Sequence, residues 1–196
     1  MIYQEDNGMQ FGKWDDETSQ LLYQDSNRVF FKDIDTSLSV YDFGGGNGLL
    51  RDLFPHYKSV DIDESKHPDI VADIMTYECS CDLIILRYVL HYLSDEDIKK
   101  LIQNIKRFHK GQLLIIQFCN EGNDLKIKQS ISKNNEHPKY FRTYEQTINL
   151  FQQLPLHTEQ SIDYTVNPDF YMNRLAMKTG MSHNESVYCF NFDLSL

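Results

Sequence analysis

The sequence predicts an α/β fold: a doubly wound, Rossmann-like, seven-stranded sheet, mostly parallel, with an antiparallel strand at its C-terminal edge. Three observations lead there. Strand, turn and helix signals repeat in that order over residues 40–118. The runs 82–86 and 113–118 are apolar without alternation, as strands covered on both faces are. Two further strand runs, 160–166 and 186–193, follow the last αβ unit across a long connection, which suits an antiparallel addition at the edge. In such a sheet, ligands lie over the carboxyl ends of the strands.

Residues 1–35 read as an N-terminal helical cap, with the helical signal over 19–31 from Leu21, Leu22, Tyr23, Val29 and Phe30. Residues 38–43 form the first strand of the regular unit, and Gly44-Gly45-Gly46-Asn47-Gly48 turns the chain into a short helical segment stopped by Pro55. Strands follow over 58–62 and 70–74. Ser94-Asp95-Glu96-Asp97 reads as a capping box, opening a helix whose Ile98, Leu101, Ile102, Ile105 and Phe108 share one face and which Gly111 ends. Residues 120–142 are polar and lack an apolar stripe, so they read either as a lid or mobile crossover or as an ordinary surface helix. Thr143-Tyr144-Glu145-Gln146 is a second capping box, before Ile148, Phe151 and Leu154.

The 196 residues suit one domain, 1–196, and 41% hydrophobic with 24% charged residues excludes a disordered or low-complexity chain. A formal charge of −10 argues against broad capture of nucleic acid or anionic membrane. No apolar run reaches the roughly 18 residues a membrane span needs. The acidic start lacks a secretory signal pattern, and four cysteines make no disulfide framework at this length. A reducing compartment, the cytoplasm, is the expectation.

The most informative segment is Asp42-Phe43-Gly44-Gly45-Gly46-Asn47-Gly48, whose glycines allow positive φ and close approach of a ligand to the backbone. Its spacing is not the Gly-x-Gly-x-x-Gly of dinucleotide binding, because Leu49-Leu50-Arg51 stands where the third glycine belongs. Nineteen residues past Asp42, Asp61 closes the next strand, where a carboxylate can accept both hydroxyls of a ribose. Asp63, two residues on, competes for that role. Asp73 closes the following strand and could accept from an exocyclic amine. Each carboxylate alone reads as an ordinary solvated acid; three in register with strand ends are a sharper signal.

These segments resemble the class I S-adenosylmethionine-dependent methyltransferases, in their small-molecule branch. Residues 40–48 are similar to motif I of that family, Ser59-Val60-Asp61-Ile62-Asp63 to its acidic second-strand motif, and Ala72-Asp73-Ile74 to its adenine-contacting turn. Residues 82–93 resemble its fourth strand and following loop. The resemblance implies S-adenosylmethionine as cofactor, with Gly44, Gly45 and Gly46 against its methionine part and Asp42 ordering the turn. It further implies Asp61 at the ribose, Asp73 at the adenine amine with Ile74 beside the ring, and the Arg87 carbonyl at the ammonium. The segment from Gly48 to Lys58 is shorter than usual in the family, so the first helix would have only about two turns.

Methyl transfer from a sulfonium requires an acceptor held in line with the S–CH3 bond, and a base only where the acceptor carries its proton at neutral pH. His91, in the loop after the fourth strand, is the candidate base; its plainer reading is to close the pocket. Tyr92 is a candidate pocket wall. Trp14 is either an acceptor platform or hydrophobic cover, and Arg142 either binds an acceptor carboxylate or phosphate or pairs with a surface acid. Tyr144 lies where the lid would return. No metal is expected, since Cys79-Ser80-Cys81 has one residue between its cysteines and Cys119 and Cys189 have no ligand-spaced partner. The function expected is therefore methylation of a small-molecule oxygen or nitrogen. The alternatives are a methyltransferase acting on protein or RNA, and a non-catalytic cofactor-binding partner subunit.

Overall fold

The computed structural model describes residues 3–5, 9–11, 27, 29–122, 125–126, 129, 139–163 and 185–195. Its main sheet has seven strands in the order β5-β4-β3-β6-β7-β9-β8: β3 Ser39–Phe43, β4 His56–Asp61, β5 Ile70–Val71, β6 Leu83–Arg87, β7 Gln112–Asn120, β8 Leu156–Asp163 and β9 Glu185–Asp193. The pairings from β5 through β7 are parallel. The expected antiparallel addition is β9, which runs against β7 on one side and β8 on the other, so β8 is outermost. Strand order reverses between β3 and β6, which creates the crevice where doubly wound sheets bind ligands.

The apolar run of β6 is explained by its place at the middle of the sheet, where all five residues are buried. Ile84 and Leu86 face a core with α1 (Asp95–Phe108), while Leu83 and Ile85 face the opposite core with Phe30, Leu50 and Phe54. Helix α1 buries Ile98, Leu101, Ile102 and Ile105 along one stripe, each worth about 1.5–3 kcal/mol of apolar burial. Its Ser94 hydroxyl accepts from the Asp97 amide at 3.1 Å, but the Asp97 carboxylate accepts from that hydroxyl at 2.6 Å. An aspartate, one methylene shorter than glutamate, closes onto the cap's side chain. At α2 (Tyr144–Asn149) the full capping box forms between Thr143 and Gln146.

Several elements differ from expectation. Residues 48–54 form successive turns, with Arg51 N–H to Gly48 and Leu53 N–H to Leu50, and no regular helix. Six residues between Gly48 and Pro55 are too few, and a bidentate Arg51–Asp69 ion pair at 2.9 Å ties the segment to the neighbouring loop instead. β5 stops at Val71 because Asp73 starts a turn, accepting from the Met75 amide at 2.9 Å. β8 starts at Leu156, and residues 164–166 of its expected range lie outside the described residues. Within the expected helical cap, β1 (Tyr3–Glu5) and β2 (Met9–Phe11) pair antiparallel; Asn7-Gly8 between them is a hairpin signal in the sequence. Of the helix expected over 19–31, residues 27, 29 and 30 are helical and the others, apart from Phe31, lie outside the described residues, as does most of the 120–142 lid. Among the described residues, no helix is long and apolar enough to cross a membrane.

Helix α1 ends at Phe108 with His109 as its cap, before Gly111 is reached. Gly111 answers to packing: a Cβ there would stand 2.2 Å from the Asp82 carbonyl oxygen, where the chain enters β6. Gly111→Ala is expected to lower stability to urea by about 1–3 kcal/mol through this overpacking. Parental stability in the variant would mean that the entry to β6 moves aside freely.

Candidate active site

A cavity of about 670 Å3 opens over the carboxyl ends of β3, β4 and β6, at the point where strand order reverses. Gly44 leaves β3 with φ 76°, and a Cβ at this position would stand 2.5 Å from the Val89 side chain, across the crevice. Gly45 lies on Asp42, its amide donating to the Asp42 carbonyl at 3.2 Å. Gly46 (φ 52°) donates its amide to Asp61 Oδ2 at 3.0 Å. The turn is thus fitted between β4 and the segment after β6, with its backbone facing the cavity.

Asp42 is 1% exposed beneath this turn. Its Oδ2 accepts from the Tyr57 hydroxyl at 2.8 Å, and its buried Oδ1 has no hydrogen-bond partner among the described residues. Burial raises its pKa above the ordinary carboxylate value, and the Arg87 guanidinium and Tyr57 hydroxyl offset part of that rise. Tyr57, buried beside this carboxylate, is pushed well above the usual phenol range.

At the end of β4, Asp61 accepts from the Gly46 amide through one oxygen and from the Asp63 amide, at 2.9 Å, through the other. Asp63 caps the one-turn helix Glu64–Lys66, accepting from the Ser65 amide and hydroxyl, which hold its carboxyl below the ordinary range. Both acids line the cavity, and Asp61 is the one joined to the glycine turn. Asp73 and Ile74 line its far side. Arg87 ends β6, lines the cavity and donates to Asn27 at 3.2 Å.

This layout can be set against known proteins. A family model described as a methyltransferase domain matches residues 11–158. The chain belongs to that family. A curated relative, isoflavone 4'-O-methyltransferase of Medicago truncatula, is 30% identical over 117 residues; the match takes in 50% of this chain and 30% of the relative, so the chain spans about a third of that protein's length. Among solved structures, coclaurine N-methyltransferase bound to N-methylheliamine and SAH superposes with a TM-score of 0.62 at 13% identity, covering 98% of this chain and 74% of the other. The N-methyltransferase NodS of Bradyrhizobium japonicum gives 0.57 at 14% identity, covering 91% and 97%. Their fold is the one described here.

The residues expected at the acceptor are placed unevenly. Tyr92 lines the cavity and is exposed, with Lys139 Nζ 5.0 Å from its ring centre. His91 is buried, its ring 4.0 Å from Tyr92, 4.9 Å from Phe118 and parallel to Phe141, one ring removed from the cavity lining. Arg142 pairs with an exposed acid, the second of the two readings open to it. Its five N–H donors meet Asp95 and the carbonyls of Leu90, Leu93 and Tyr140, so it clamps the loop after β6 to the start of α1. Tyr144 packs on Tyr188 and donates to Glu159 at 3.0 Å, outside the cavity lining. Trp14 lies outside the described residues.

Sequence reasoning missed Lys66, Met75, Tyr88 and Val89 in the lining. Tyr88 has φ 55°, a left-handed conformation that a bulky residue holds only at a cost of roughly 1–3 kcal/mol. Its amide bonds to Ile116 at 2.8 Å and its ring stacks on Phe118. No motif announces such a residue, although its place one step past an apolar strand could have suggested it.

Asp42→Asn retains an oxygen to accept from Tyr57 and removes the buried charge. A carboxyl whose pKa is raised by folding favours the native state below its unfolded pKa, about 4, and loses that advantage as pH rises through its folded pKa. The variant should therefore gain stability relative to the parent as pH rises from about 4 towards neutrality, read as the difference in Tm. A difference independent of pH would contradict a raised Asp42.

Proposed function

We propose that this methyltransferase moves a methyl group from S-adenosylmethionine to an oxygen or nitrogen of a small molecule by in-line displacement. The observation that carries the reading is the joint placement of the glycine turn, Asp42, Asp61 and Asp73 around one cavity at the strand-order reversal. The cavity falls in the range of small-ligand sites, about 300–1,000 Å3. The SAH in the coclaurine N-methyltransferase structure supports the same donor here.

The residues present fit such a donor. Asp42 offers a buried carboxylate oxygen without a partner among the described residues, beneath a turn that has no Cβ at three successive positions. That arrangement favours a cationic, amine-bearing ligand pressed on the backbone. Asp61 keeps acceptor capacity on both oxygens beyond the two amides it already binds, since a carboxylate has about four lone-pair sites, so it would hold ribose hydroxyls. Asp73 and Ile74 would meet the adenine edge and face. The Arg87 carbonyl would receive the ammonium. When bound, the donor's sulfonium supplies the methyl group; the chain's contribution is orientation and exclusion of water.

Tyr88, Val89 and Tyr92 would form the acceptor wall. The geometry favours His91 as a positioning residue that supports Tyr92 from behind, over the base role also open to it. His91→Ala should then mainly raise the acceptor's KM. A fall in kcat of about 10²–10⁴, with the parent's acid limb abolished in the variant, would instead make His91 the base.

Asp61→Ala should weaken S-adenosylmethionine binding by roughly 1.5–3 kcal/mol, the scale of hydrogen bonds involving a charged group, measured by calorimetry. A larger loss from Asp63→Ala with a silent Asp61→Ala would move the ribose contact to Asp63. No binding of S-adenosylmethionine by the parent chain would end the reading.

A further inference from the structure

A second cluster of reactive side chains lies at the opposite, amino-terminal end of the strands. Residues 77–81 run without helix or ladder pairing into β6, so Cys79 and Cys81 project from one side of the chain, with Sγ atoms 3.8 Å apart. Both are partly exposed, whereas Cys119 and Cys189 are buried. His109 reaches the pair from the end of α1, with Nδ1 3.9 Å from Cys81 Sγ. Its Nε2 lies 2.8 Å from the Gln112 carbonyl. A carbonyl only accepts, so Nε2 carries the hydrogen and Nδ1 presents its lone pair to the thiol. A cavity of about 560 Å3 lined by Cys81, His109 and Gln112 opens at this place.

We propose that Cys79 and Cys81 form a reversible dithiol–disulfide couple, oxidised by a hydroperoxide, with His109 relaying the proton of Cys81. Cys79 is the attacking thiol, because His109 stands at Cys81, placed to take that thiol's proton when the disulfide closes. The Cys79 Sγ attacks the terminal peroxide oxygen, an S–O bond forms, the O–O bond breaks, and the alcohol or water leaves with a proton. Cys81 then gives its proton to His109 Nδ1 and attacks the Cys79 sulfur. The S–S bond forms, the S–O bond breaks, and the departing hydroxide takes the proton from His109 as water. Two thiols lose two electrons, which reduce the peroxide.

Several features favour this chemistry over others. The two sulfurs, 3.8 Å apart, lie within about 2 Å of the disulfide length of about 2.05 Å. The hydrogen bond between the two thiols holds the Cys79 thiol below its ordinary pKa, which favours its thiolate. Burial lowers the His109 pKa and keeps its ring neutral and able to accept. Burial also pushes Cys119 and Cys189 up, to about 11 and about 12, which leaves them inert. Among the described residues no group of three His, Cys, Asp or Glu side chains is set to hold a metal ion.

The test treats the full chain with hydrogen peroxide and follows its mass. A loss of about 2 Da, mapped to the peptide spanning Cys79 and Cys81 and restored by dithiothreitol, is expected. Cys81→Ser should stop at a sulfenic acid on Cys79, captured by dimedone. His109→Gln should slow disulfide closure at least about tenfold, with the sulfenic acid accumulating, while the urea-unfolded parent closes as slowly as that variant. Independent over-oxidation of both thiols, a disulfide to Cys119, Cys189 or another chain, a first adduct on Cys81, or equal closure rates in folded and unfolded parent would each overturn the proposal.

Discussion

The close approach of two backbones where strand order reverses is the constraint on which the rest of this structure depends. Gly44 leaves β3 against Val89, the second residue past β6, at a distance that no Cβ would tolerate. The two segments meet there, and the amides of the turn are taken up by the chain itself, Gly44 donating to the Val60 carbonyl and Gly45 to that of Asp42. Asp61 draws the Gly46 amide towards β4 and so fixes the other side of the turn. Asp42 is sealed beneath it, where burial raises its pKa and Arg87 and Tyr57 only partly offset that rise. A buried carboxyl with one oxygen unpartnered among the described residues is a costly arrangement for stability alone, and Asp42 carries it in the cavity lining.

The two ends of the sheet have different tasks. At the carboxyl ends, loops converge and are held by long-range bonds. Arg142 ties residues 90, 93 and 140 to Asp95, and the Tyr140 amide donates to the His91 carbonyl at 2.7 Å. Such a clamp holds the loop after β6, with its short 3-10 helix Leu90–Tyr92, in a single geometry. At the amino ends Gly111 stands against Asp82, and Ser39 is joined to Asp82 through both backbone and hydroxyl. Cys79, Cys81 and His109 lie at that end, so they are separated from the larger cavity by the length of the sheet.

The central strands, the stripe of α1 and both capping residues were legible in the sequence because each rests on local periodicity or a short-range bond. The glycine turn and the acids at strand ends were legible for a related reason, since a strand end announces itself by where the apolar run stops. The missing helix after Gly48 was less legible: helical composition was present, but the Arg51–Asp69 pair and the early Pro55 won locally. Arg142 was left open between two readings because an arginine in a polar stretch has the same sequence signal whether it awaits a ligand or is saturated by an acid and carbonyls. Tyr88 had only its place one step past an apolar strand as a signal, since its left-handed backbone goes with the long-range Ile116 bond and the stack on Phe118.

By itself, then, the sequence determined the sheet's class, the parallel run of strands and the set of acidic and glycine positions, all of which follow from side-chain period and backbone preference along a few neighbouring residues. Tertiary structure alone decided that Asp61 joins the glycine turn while Asp63 caps the next one, that His91 stands behind Tyr92, and that β9 inserts between β7 and β8. Those outcomes depend on which groups meet across tens of residues, and a hydrogen-bond partner or a steric limit supplied from so far along the chain leaves no mark on the local pattern.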